Sequence, residues 1–189
     1  MREYSAKAVK QPHEIRSDAS TNRKALIISA RKLFASNGPE VSLTQIAQKA
    51  GISRATLYRN FPDKASIIIE IINYNIDLLE AYAKRLNGSD NRFFKLLEAI
   101  IRQQVKYQTM AMMIPTNQHA IAKRLLAVFK LPLEEAKKSG NIRSDFILEK
   151  DLLLLIMMMG GALLHIDDTD KTTRIKRALT FALEGIKKR

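Results

Sequence analysis

Between positions 42 and 61 the chain reads SLTQIAQKAGISRATLYRNF, a stretch that gathers hydroxyl, amide and guanidinium side chains. Ser53, Arg54, Ala55, Thr56, Tyr58, Arg59 and Asn60 form the outward set of its second half. An arginine fork can pair with a guanine edge, an alanine or threonine methyl can meet a thymine methyl, and hydroxyls suit phosphate oxygens. Bond-making chemistry finds no comparable cluster. His13, His119 and His165 are far apart in sequence and form no metal-binding repeat. Gly160-Gly161 lies inside an apolar run with no Lys-Ser or Lys-Thr after it, unlike a phosphate-cradling loop. There is no cysteine, which removes disulfides, thiolate metal sites, iron–sulfur clusters and a cysteine nucleophile. The expectation is a binding protein without catalysis, cofactor or metal.

These side chains need short helices to present them. Ser42 suits the cap of a helix carrying Leu43, Ile46, Ala47 and Ala50, and Gly51 suits its left-handed end. Ser53 suits the cap of a second helix over residues 54–60. Ile46, Ala47 and Ala50 can pack against Ile52 and Leu57, with the small residues where the two helices cross. This is the sequence form of a helix-turn-helix, whose second helix enters the major groove. The helix end at Ser42 points free N–H groups outward, a ready phosphate contact. Capping by Ser42 and Ser53 does not exclude either role.

Helical spacing continues nearly throughout, and no convincing strand alternates. Upstream, Leu26, Ala30, Leu33 and Phe34 share a face that Asn37-Gly38-Pro39 ends. Downstream, Phe61-Pro62-Asp63-Lys64 opens a long helix with Ile68, Ile72, Ile76, Leu79, Ala83 and Leu86 on one stripe. Further helices are expected over 92–113, 116–138, 148–166 and 171–187, with Pro132 marking a kink or an early stop in the second. The expected class is all-α. Its organisation is a flexible basic arm at 1–21, a DNA-binding helix-turn-helix domain at 22–64 and a further helical domain at 65–189.

Charge supports that division. The 189 residues carry a formal net charge of +13. Residues 1–64 hold 12 basic and 5 acidic side chains, so one third of the chain carries more than half of the surplus. A polyanion engaged at one end fits that skew better than an evenly solvated surface. The arm suits a minor groove or extra phosphates, and a tail that contributes nothing fits the same residues.

Residues 23–68 resemble the DNA-binding domain of TetR-family transcriptional regulators. The matching pattern is Phe34 and Gly38, then Ser42-Leu43-x-x-Ile46-Ala47-x-x-Ala50-Gly51-Ile52-Ser53, then Thr56-Leu57-Tyr58-x-x-Phe61-x-x-Lys64-x-x-Ile67. Ala55 stands where glycine is frequent in that family, and Pro39 replaces an aliphatic or aromatic residue. The resemblance implies that Ser42, Thr44 and Gln45 approach DNA from the second helix. It implies contacts from Arg54, Ala55, Thr56, Tyr58, Arg59 and Asn60 on the third, and a phosphate contact at Lys64. It also implies a homodimer and a small-molecule effector that shifts the long helix over residues 62–86. The function so implied is a repressor released from its operator by that effector. A ligand-independent architectural or partner-recruiting DNA-binding factor fits the same reading head.

Leu152 to Leu164 is the longest apolar run, thirteen residues with its two glycines, whereas a membrane span needs about 20. No secretory signal opens the chain, and the expected location is the cytoplasm without membrane association. A helix apolar all round needs a partner on one face, so 148–166 and 171–187 are the expected homodimer surface. The latter shows Ile175, Leu179, Ala182, Leu183 and Ile186 on a stripe. Tyr107, Met110, Met113, Phe129 and Met157 are candidates for an adaptable apolar ligand pocket, and plain core or interface packing suits each equally.

Overall fold

The computed structural model describes residues 12–106, 119–163 and 171–188, and among these every regular element is helical. The chain divides into two compact units, 1–67 and 68–189. The division falls at Ile67, inside the helix that runs from Lys64 to Arg85.

The first unit contains α1 (Pro12–Asn37), α2 (Leu43–Ala50), α3 (Arg54–Asn60) and the opening of α4 (Lys64–Arg85). Its core is formed by Leu26, Ile27, Ala30 and Phe34 of α1 with Val41, Ile46, Ala47, Leu57, Phe61 and Ile67. α1 starts earlier than the apolar pattern suggests. In place of the arm expected over 1–21, helix already includes residues 12–21, and residues 1–11 lie outside the described set. Pro12 suits a first helical position, and no glycine or further proline intervenes before Gly38. Helix propensity, not apolar periodicity, therefore sets this start.

The second unit holds the rest of α4 with α5 (Arg92–Lys106), α6 (His119–Lys138), α7 (Leu153–Leu163) and α8 (Lys171–Ile186). Phe93 is the hub of its core, meeting Phe94, Phe129 and Phe146 edge-to-face at 5.7–5.8 Å between ring centroids. Ile76, Leu79, Leu96, Leu97, Ile101, Leu152 and Leu179 surround that cluster. α6 runs through Pro132 without stopping, and the proline ring is buried with Phe129, Leu133 and Ala136. The segment expected as one helix from 148 begins instead as a π-helical turn, Leu148–Leu152. Asp151 Oδ2 accepts from the Ile147 N–H at 2.6 Å and closes that turn, which buries both Leu148 and Leu152. An isolated antiparallel bridge between Ile142 and Lys187 ties the loop after α6 to the end of α8. No helix among the described residues is long and apolar enough to cross a membrane.

Candidate nucleic-acid interface

The reading segment is built by local hydrogen bonds that its sequence encodes. Ser42 and Gln45 form a reciprocal capping box: Gln45 N–H donates to Ser42 Oγ at 3.2 Å, and Ser42 N–H donates to Gln45 Oε1 at 2.8 Å. The Ser42 hydroxyl also donates to Gln45 Oε1, at 3.0 Å. Both side chains are exposed but engaged with each other, leaving the Gln45 amide nitrogen as the group facing outward from the box. Thr44 is half-buried beside them.

α2 ends at Gly51 with φ 67° and ψ 28°, the left-handed conformation. The Ile52 N–H bonds to Ala47 O at 3.0 Å and the Gly51 N–H to Gln48 O at 3.1 Å, the paired closure of a Schellman motif. Space is open where a Cβ at Gly51 would sit, so glycine is needed there for its backbone alone. The turn is two residues long before Ser53 caps α3, accepting from Thr56 N–H at 3.2 Å. The Ser53 hydroxyl donates to Thr56 Oγ1 at 2.9 Å.

On α3 only Leu57 is buried. Ser53, Arg54, Ala55, Tyr58 and Arg59 are exposed, and Thr56 and Asn60 are half-buried. Tyr58 leaves half of its surface open, an unusual placement for an aromatic ring in a unit whose phenylalanines are sealed. Asn60 differs from the expectation of an outward reader: its amide nitrogen donates to Thr56 O at 2.8 Å, within the helix. Its carboxamide oxygen is what remains for other partners.

Asp63 caps α4 through Ser66, with Ser66 N–H donating to Asp63 Oδ1 at 2.7 Å. Lys64 follows, half-buried, and its Nζ donates to Pro39 O at 3.0 Å. That bond aims the ammonium and leaves it two further donors. A residue that the motif does not flag joins this group. Arg23 of α1 donates from Nη1 to Asn60 O at 3.1 Å, and its guanidinium lies 4.5 Å from the centre of the Phe61 ring. Thirty-seven residues of sequence separate donor and acceptor, so no local signal reveals the pair.

Of the pocket candidates, Tyr107, Met110 and Met113 lie outside the described residues. Phe129 is fully buried against Phe93 in the core. Met157 is 71% exposed on α7, so it lines no enclosed space. α7 and α8 instead frame an open apolar trough of about 640 Å³, floored by Leu155, Met158, Met159, Ala178 and Ala182. Leu154 and Phe181 stand at 54% and 64% exposure along it.

Fold and site together define a DNA-binding helix-turn-helix protein whose first unit carries the reading head. Residues 26–71 match the family model described as bacterial regulatory proteins, tetR family, so the first unit and the opening of α4 are similar to the reading head of that family. It is 27% identical over 95 residues to an HTH-type transcriptional regulator of Staphylococcus aureus. That match covers 50% of this chain and spans about half, 51%, of the relative's length. The fold resembles a TetR transcription regulatory protein from Mycobacterium vanbaalenii with a TM-score of 0.63 and 18% identity, covering 92% of this chain and 99% of that one. It also resembles RolR, solved in complex with the ligand resorcinol, with a TM-score of 0.60 and 17% identity, covering 90% of each chain.

Proposed function

We propose that the protein is a cytoplasmic, homodimeric transcriptional repressor that leaves its operator when a small molecule binds the helical unit. The observation that carries the DNA-binding half is the face of α3: Arg54, Tyr58 and Arg59 exposed on a helix fixed by Ser53 at one end and buried Leu57 at its middle. Arg54 and Arg59 supply base-edge or phosphate contacts, Tyr58 a phosphate or thymine-methyl contact, and Lys64 a phosphate contact. Ser42, Thr44 and Gln45 support the backbone from α2, with the N–H groups of the first turn of that helix.

Dimerisation is supported by the apolar trough of α7 and α8, which leaves Leu154, Met157, Met158 and Phe181 largely in water. A second copy covers this face, and two reading heads then address half-sites separated by about one turn of DNA, ~34 Å, or a multiple of it. Effector binding is supported by Asn75 of α4, whose side-chain oxygen is buried without a hydrogen-bond partner. An unmet acceptor costs about 1–3 kcal/mol, and a ligand hydroxyl or amine that donates to it recovers that cost.

The test is selection of bound fragments from genomic DNA, followed by affinity measurements on the recovered duplex. An Arg54→Ala/Tyr58→Ala/Arg59→Ala variant is expected to lose specific binding by at least about 100-fold while keeping its helix content. Unchanged affinity in that folded variant would sink the assignment.

A further inference from the structure

α3 has seven residues. At 1.5 Å per residue it is about 10 Å long, too short to hold its own conformation or direction. Its placement therefore rests on ties to the rest of the unit. The Ser53 cap fixes the N-terminal end and Leu57 anchors the middle. At the other end, the Asn60 carbonyl is one of the acceptors that a helix leaves without an internal partner.

Arg23 meets that carbonyl at 3.1 Å while its guanidinium lies over Phe61, whose ring is 1% exposed. A planar fork can stack through its face and donate from its edge at once, whereas an ammonium offers a single point charge. The cation also sits where the helix dipole favours positive charge. Asn60 directly follows Arg59 and lies two residues after Tyr58, the exposed side chains at this end of α3. Any shift of the Asn60 carbonyl moves the attachment points of both.

We infer that Arg23 is a positioning residue for sequence recognition: it locks the C-terminal end of α3 and so sets how Tyr58 and Arg59 meet the bases. The inference rests on the DNA-binding reading above and adds to it a residue outside the helix-turn-helix. Arg23 acts through Asn60 and Phe61, so its loss blunts discrimination between sequences and spares the general attraction to DNA.

The experiment uses the full chain, a duplex that the protein recovers from a random-sequence library, and a shuffled duplex of equal length and composition. If the unaltered protein binds the two duplexes equally, or neither, the DNA-recognition reading itself fails. Given discrimination, Arg23→Gln is expected to weaken binding to the selected duplex about tenfold, the scale of a charge-assisted hydrogen bond. Affinity for the shuffled duplex and its salt dependence stay unchanged. Arg23→Lys, which keeps a donor and a charge, is expected to lose only about threefold. Full discrimination in Arg23→Gln overturns the inference. So does an equal loss on both duplexes, which with a shallower salt slope marks a direct phosphate contact. Circular dichroism checks helix content, and if Arg23→Gln does not fold, Arg23→Lys decides: unaltered discrimination overturns the inference, and a threefold loss supports it.

Discussion

The two units solve the problem of apolar surface in opposite ways. In the first, large apolar side chains turn inward, and among the described residues Ile28 and Tyr58 are the exposed exceptions. Its outward face is polar, and α2 and α3 are pinned by side-chain caps at Ser42 and Ser53. The second unit has the larger core, built around Phe93, yet exposes Leu154, Met157, Met158 and Phe181 along α7 and α8. The first unit is thus finished as a fold and open in its chemistry, presenting cations and hydroxyls to a partner rich in phosphate. The second leaves an apolar face uncovered at Leu154, Met157, Met158 and Phe181.

That contrast can be broken at either end. The largest effect is expected from Met158→Glu/Phe181→Glu, which places carboxylates on the apolar face. Sedimentation or mass photometry is expected to report a monomer, and affinity for the selected duplex falls on the order of 100-fold or more once the two reading heads no longer bind as one. A dimer that persists in this variant would separate the apolar face from assembly. Next in size, Arg54→Ala is expected to weaken binding to the selected duplex by about 1–3 kcal/mol, with most of the loss confined to changes at one base pair. Gly51→Ala forces a Cβ into the left-handed turn and is expected to lower unfolding stability by about 1 kcal/mol in thermal melts. Its dimer mass stays the same, because the strain lies wholly within the first unit. Lys64→Ala gives the smallest effect: every duplex is expected to weaken alike, about threefold, with the salt slope shallower by about one.

Much of the first unit is legible in the sequence because its determinants are local. Ser42, Gly51 and Ser53 act on residues no more than four positions away, and their hydrogen bonds follow from spacing alone. Asp63 and Ser66 mark the start of α4 for the same reason. Illegible features depend on distance or on competing partners. The bond from Arg23 to Asn60 spans the whole helix-turn-helix, so nothing near either residue announces it. Asn60 looks like a base reader by type, but its amide finds the Thr56 carbonyl one turn back. In the second unit, apolar periodicity identifies helices without saying which apolar residues face the core. Phe129 and Met157 read alike in sequence, yet one is sealed by the Phe93 cluster and the other stands in water. The π-turn at Leu148–Leu152 is invisible for a related reason: Asp151 reaches back to Ile147, and two buried leucines accept the altered winding.

The methionines of α7 give the apolar face a redox signature of its own. A thioether in water is readily oxidised by peroxide to the sulfoxide, a polar group that an apolar contact rejects, whereas a covered thioether reacts slowly. Met157 and Met158 stand open and Met159, one position further along, is buried. Mild peroxide followed by peptide mass analysis therefore reads assembly residue by residue. In the proposed dimer Met157 and Met158 are expected to be shielded at concentrations where copies pair and oxidised where they part, with Met159 as an internal reference. In the proposed dimer, sulfoxides at Met157 and Met158 are expected to oppose re-pairing until they are reduced, and with it the joint action of two reading heads.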